Sequence, residues 1–250
     1  MSSQLGAFLR SRRERLSPAD AGLPPTGRRR TPGLRREEVA MLAGMSATWY
    51  TYLEQGRDVR PSEQVLRALA GTLRLSDAER DHLLHLAGGT PVAGEADETP
   101  DPATAALPAL LGPHPAYLTG ARFDVLACND AATHLLSGLR AGTNLARWIF
   151  LHDEARTVLV DWEPVAQGLL ARLRAAAARH PGHAGFDRLV ADLHRASPEV
   201  RAWWPRYDIA TASSGVKRVR HPEQGVITLR HTALLVADHP DQTLVVYTPV

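Results

Sequence analysis

The segment REEVAMLAGMSATWYTYLEQ, residues 36–55, constrains the fold of this chain more than any other stretch. Its apolar positions Val39, Ala40, Ala43, Met45, Tyr50 and Leu53 change phase at Gly44. The spacing therefore predicts two short helices meeting at an angle, with those six side chains facing inward. Gly44 suits a turn with positive φ, which glycine enters without steric cost. Ala40 is small where the second helix must approach the first. Ser46 follows the turn, where a side-chain oxygen caps the next helix. The outward residues of that helix are then Ala47, Thr48, Thr51, Tyr52 and Gln55, side chains of a kind that reach base edges and phosphates in a major groove. An ordinary helical hairpin shares the apolar pattern. The coincidence of Ala40, Gly44, Ser46 and the following Leu53–Gly56 favours contact with double-stranded DNA.

Charge agrees with that reading. Residues 1–60 carry eleven Arg against six acids, a net of +5, and the rest of the chain carries −3. A basic end on a nearly neutral chain is what attraction to phosphate at one pole requires. Arg10, Arg12, Arg13 and Arg15 cluster on a first helix, and Arg28, Arg29 and Arg30 form a run before the motif, where phosphate or minor-groove contact is expected. Arg35, Arg36 and Arg57 flank the second helix of the motif and are expected to hold phosphates, with Trp49 straddling core and DNA backbone.

The 250 residues, 44% hydrophobic and 22% charged, fit a soluble protein with two ordinary domains. The N-terminal residues contain no apolar run of signal-peptide length and no segment approaches a membrane span, so no membrane contact and a cytoplasmic location are expected. The single Cys128 excludes an internal disulfide and a cysteine metal cage. His82 and His85 lack a third ligand partner. No phosphate loop or dinucleotide fingerprint appears, so no cofactor is expected. Residues 1–89 read as a DNA-binding domain of five helices: 5–16, the two helices of the motif, a fourth opened by Pro61 and Ser62, and a fifth begun by a capping box of Ser76 and Glu79 and stopped by Gly88 and Gly89. A linker of acids, Pro and Gly covers 90–104.

Residues 105–250 mix element types. Ala116 to Thr119 and Phe123 to Cys128 predict short strands, and Asn129-Asp130 caps a short helix. Helical stretches follow at 143–150, 153–180 with a break near Trp162–Pro164, 184–195 and 198–206. Three strands close the chain, at 216–221, 226–236 and 243–248, with turns at PEQG (222–225) and DHPDQ (238–242). Two strands, helices, then three strands imply an α+β domain with an antiparallel five-stranded sheet and helices on one face. A cavity between sheet and helices is the natural ligand site there. The alternation of the last two strands predicts one apolar wall, and Leu135, Leu136, Ile149, Phe150, Leu169 and Leu173 the other.

Over nearly its whole length the chain resembles the XRE class of helix-turn-helix regulators, and within it the MmyB-like group of actinomycete type. The phrases that carry this are TPGLRREEVAMLAGMSATWYTYLEQGRDVRPSEQVLRALAGTLRL (31–75), FDVLACNDAA (123–132), NLARWIFL (144–151), DWEPVA (161–166), KRVRHPEQG (217–225) and DQTLVVYTP (241–249). Cys128 and Tyr207 stand where Trp and His are usual in that group. The resemblance implies a PAS-like second domain accommodating a fatty-acid-like molecule. Asn129, Trp148, Trp162, Tyr207, His221 and Arg230 are the candidate ligand contacts, the polar ones orienting an acid head. The expected function is sequence-specific transcription regulation by a homodimer, because one recognition helix reads too few base pairs alone. A lipid carrier with incidental DNA contact and an enzyme using Cys128 are the alternatives. Neither accounts for a complete recognition helix.

Overall fold

A computed structural model describes residues 4–24, 33–57, 59–88, 98–210 and 214–250. The chain divides into two compact units, Met1–Val92 and Ala93–Val250. The run Arg28–Arg30 lies outside the described residues.

The first unit contains α1 (Gln4–Arg15), α2 (Arg36–Leu42), α3 (Ala47–Gln55), α4 (Glu63–Thr72) and α5 (Asp77–Leu86). Serine side chains set three of the starts: Ser46, Ser62 and Ser76 accept hydrogen bonds from the backbone N–H of Trp49, Val65 and Glu79. Each such cap contributes about 1 kcal/mol. The expected box at Ser76 is complete, since Glu79 accepts in return from Ser76 N at 2.8 Å. Gly44 has φ +67°. Phe8, Leu9, Leu34, Val39, Tyr50, Leu53, Leu69 and Leu83 are fully buried, whereas Ala43 and Met45 are only half-buried at the rim of the turn. A Cβ on Gly6 would overlap the carbonyl oxygen of Glu54, so α1 crosses the backbone of α3 at a distance only glycine permits.

The second unit runs α6 (Pro102–Leu110), β1 (Ala116–Thr119), β2 (Val125–Cys128), α7 (Asp130–Leu135), α8 (Leu145–Leu151), α9 (Asp153–Val158), α10 (Trp162–Arg179), α11 (Ala184–Ala196) and α12 (Pro198–Trp203), with a 3-10 turn over Trp204–Arg206. Strands β3 (Gly215–His221), β4 (Gly225–Val236) and β5 (His239–Pro249) follow. All strand pairs are antiparallel, in the order β2-β1-β5-β4-β3. Alternation sends Tyr117, Val219, Leu229, Val245 and Tyr247 to one face of the sheet. There they share a core with Trp148, Leu169, Leu173, Phe186 and Leu193 from the helices.

Two features depart from expectation. Helix α6 begins inside the segment read as linker and had no counterpart in the sequence reading. Asp101 caps it, its Oδ1 accepting from Ala103 N at 3.0 Å and Thr104 N at 3.1 Å, and Pro102 takes the first turn. Pro108 inside it reads as a breaker, which hid the helix. It packs on β1 and β2, where Ala116 and Leu118 are fully buried on the face opposite Tyr117, so the sheet has helical cover on both faces at this end. The hairpin between β4 and β5 also turns in two residues, Ala237 and Asp238, because Val236 pairs with His239; the expected five-residue loop is largely strand. No described helix is long and apolar enough to cross a membrane.

Candidate functional site

Helix α3 presents Thr48 and Gln55 fully exposed, with Ala47, Trp49, Thr51 and Tyr52 partly so. The Thr51 hydroxyl donates back to Ala47 O at 2.8 Å, which leaves its methyl as the outward group. The guanidinium of Arg57 stacks on the Tyr52 ring at 4.2 Å, bringing a cation beside the aromatic end of the helix. Arg35 is exposed, and its N–H donates to Glu38 Oε2 at 2.7 Å, closing the first turn of α2. These groups form one polar, cationic surface along α3.

Behind that surface lies a residue the sequence reading passed over. Glu54 is buried in α3 and receives both arms of Arg13: Nε to Oε2 at 2.7 Å and Nη2 to Oε1 at 2.9 Å. Arg36 adds Nε to Oε1 at 3.0 Å, so its charge is committed inward although its side chain is partly exposed. Burial works against ionisation of Glu54, but the hydrogen bonds and charge of Arg13, then of Arg36, outweigh it and hold the carboxyl below its ordinary value. Arg13 Nη1 also donates to Leu34 O at 2.8 Å, tying in the chain that leads to α2. Arg12 is buried as well, its Nε 3.2 Å from Glu79 Oε1. Arg12 and Arg13 belong to the basic cluster of the first helix, and the structure commits both to the frame that holds α3. The sequence signal was present in the acids Glu54 and Glu79, but pairing them needs the tertiary crossing of α1 over α3 and α5.

In the second unit the helical face of the sheet is not fully packed. A cavity of about 400 Å³ lies between it and α10, lined by Ala233, Leu235, Thr243 and Val245 from the sheet, Phe123 and Leu145 beside them, and Arg172, Ala176 and Arg179 from the helix. A second, of about 360 Å³, is lined by Val165, Gly168, Lys217 and His231 among others. Arg172 and Ala210 line both. The strands thus supply one wall as expected. The other wall is α10; Leu135, Leu136, Ile149, Phe150, Leu169 and Leu173 are packed in the core instead. Beside the larger cavity, Glu98 sits on the β1–β2 turn, its Oε1 accepting from Arg122 N at 3.4 Å. A Cβ on Gly120 would overlap that carboxylate. Burial lifts the Glu98 carboxyl above its ordinary value, with Arg122 opposing and Asp124 adding to the rise.

None of the six residues expected to hold a ligand lines either cavity. Asn129 spends its amide on structure: Oδ1 accepts from Ala132 N at 2.9 Å, and Nδ2 donates to Pro108 O at 2.9 Å and His114 O at 2.8 Å. Trp148 is buried and donates to Ser137 O at 2.9 Å. Trp162 donates to Ile149 O at 2.9 Å and carries Arg156 over its ring at 3.7 Å. Tyr207 has φ +56° and stacks against Arg174 at 4.4 Å. His221 organises the β3–β4 turn, its Nδ1 accepting from Glu223 N at 3.2 Å. Arg230 is exposed on the opposite face of β4 from His231. Aromatic and polar residues near a pocket in sequence were committed to the core and to turns. Cys128, beside Thr133 at 3.6 Å, lines neither cavity either.

These two sites have counterparts among known families. Residues 4–83 match the profile of a helix-turn-helix domain, and residues 100–250 match that of the MmyB-like transcription regulator ligand binding domain. No curated protein matches the chain. With a DNA-binding unit framed around α3 and a ligand-binding unit hollowed between sheet and α10, the chain belongs to the MmyB-like transcription regulators.

Proposed function

We propose that this regulator binds a specific operator as a homodimer, and that an apolar, acid-headed, fatty-acid-like molecule in the second unit sets its affinity for DNA. Helix α3 enters the major groove, with Thr48, Thr51, Tyr52 and Gln55 toward base edges and Ser46, Ala47 and Trp49 at its backbone end. Arg35 and Arg57 hold phosphates, and Arg36 steadies α3 through Glu54. Residues 1–89 form the DNA-binding part. Residues 105–250 form the ligand-binding and dimerising part, with Glu98 and the start of α6 packing against it.

The observation that carries this reading is the pair of cavities against α10, which share Arg172 and Ala210. Space of this size between a sheet and a helix, walled mainly by aliphatic and aromatic groups, suits a small apolar ligand. Control of DNA binding then requires unequal affinity of that ligand for the competent and incompetent arrangements of the dimer, since equal affinity shifts nothing. Native mass spectrometry of the purified chain, followed by an operator titration with and without whatever is found, tests it. A bound apolar acid that changes operator affinity is the expected result. A monomer on the operator, or an affinity that no ligand alters, refutes the sensor.

A further inference from the structure

The chain has a single lysine among twenty-nine basic residues, and it sits half-buried in the second unit. Lys217 Nζ lies 3.3 Å from the Tyr247 hydroxyl and 5.6 Å from that ring's centroid. Tyr247 and Tyr117 are themselves buried, their ring centroids 6.3 Å apart. Arg172 projects from α10 at the junction of the two cavities, 5.5 Å over the Phe123 ring. Two cations thus line one cavity, and among the described residues neither is paired with a carboxylate. The two carboxylates in the cavity walls are engaged elsewhere. Asp161 binds Arg218 through two hydrogen bonds, one of 2.8 Å, and Asp241 lies 3.2 Å from His180 and 3.7 Å from Arg179. Burial pulls the Lys217 ammonium below its ordinary value, Tyr117 opposing and Arg172 adding to the fall; burial likewise lowers the Arg172 guanidinium.

Protein interiors rarely hold unpaired cations, because desolvation is repaid only by an opposite charge in good geometry. Both half-buried cations line the same cavity without a carboxylate to pair with, so the cavity is suited to a ligand that brings the opposite charge. Resting on the cavity reading above, we infer that Arg172 and Lys217 receive the oxyanion head of the ligand, a carboxylate or a phosphate. The planar guanidinium offers a bidentate grip and the ammonium a point charge, with the Tyr247 hydroxyl fixing the latter. The apolar body then runs from Arg172 past Phe123, Leu145 and Ala176 toward Val245. A neutral ligand of the same shape would leave both cations desolvated and unpaired.

The test uses the full-length protein and three probes with one tail: decanoate, decyl phosphate and 1-decanol, titrated calorimetrically at pH 7. Both acids are expected to bind at least about tenfold more tightly than the alcohol, as charge-assisted hydrogen bonds to two cavity-lining cations imply. The better of the two acids names the head. R172M should bring the acids down to the level of the alcohol while leaving alcohol binding intact, and K217M, read in the same way, stands in if R172M fails to fold. An alcohol that binds as well as the acids, or an acid preference that survives in both variants, overturns the assignment and leaves the cavity reading standing. Failure of all three probes to bind removes the cavity reading and this inference with it.

Discussion

The two units treat enclosed and partly enclosed charge in opposite ways. In the first, Arg13 and Arg36 close on Glu54, and Arg12 on Glu79, so each buried ion has its counter-ion a few ångströms away. In the second, Arg172 and Lys217 face a cavity without an acid to answer them. The first arrangement fixes a shape: α1, α2 and α3 are tied together, and the exposed side of α3 is held in place. The second arrangement gives a cavity a positively charged lining. A closed ion pair is a frame, whereas an open one is a demand for a ligand.

The largest effect expected from this contrast comes from Glu54→Ala. It leaves Arg13 buried without a partner, and breaking such a pair costs about 3–5 kcal/mol. Hydrogen exchange mass spectrometry should show α1 to α3 losing protection while the second unit keeps its own, and operator binding should vanish with the fold. Gly6→Ala strikes the same crossing sterically, for about 1–3 kcal/mol of overpacking, again confined to the first unit. Gln55→Ala separates frame from reader on one helix. It should leave stability unchanged yet cost about 1–3 kcal/mol of discrimination at a single base position, while Arg57→Ala should weaken all sequences alike and lower the salt slope by about one. Arg172→Met should have the opposite sign to Glu54→Ala. Removing an uncompensated cation stabilises the ligand-free second unit by about 1 kcal/mol, read as a rise in its urea midpoint. A fall there would mean that Arg172 is already satisfied within the protein.

The smallest contrast is in acid. The Glu54 carboxyl is held below its ordinary value, so its contribution is complete above the usual carboxylate range and is lost as pH falls through the depressed value. The Glu98 carboxyl is raised, so its contribution is present below its ordinary value and is lost as pH rises through the elevated one. Lowering pH from 6 toward 4 should therefore weaken the first unit while Glu98 favours the second. Exchange protection measured across that window, with Glu98→Gln flattening the response of the second unit, checks the sign.

Much of this protein is legible locally. The phase change at Gly44 and the serines before α3, α4 and α5 are signals within a few residues of what they specify, as is the strand alternation of β4 and β5, and the structure realises each. Site residues fared differently because their roles depend on distant partners. Asn129 looked like a ligand contact until Pro108 and His114 took its amide. Arg12 and Arg13 sit in a basic cluster on the first helix, yet their charge goes to Glu79 and Glu54. Helix α6 was lost because Pro108 is a breaker on its own terms, and only the sheet face formed by Ala116 and Leu118 makes the helix worth keeping there.

Periodicity, caps and turn residues, acting over a handful of positions, determined by sequence alone that this chain holds a helix-turn-helix unit and an antiparallel sheet with helices. Which charges are closed and which are open was decided by tertiary structure. Arg13 meets Glu54 across 41 residues and Lys217 meets Tyr247 across 30. Whether a cation ends beside an acid or beside empty space depends on how helices cross and how completely a helix covers a sheet. Those are properties of packing, and no local pattern encodes them.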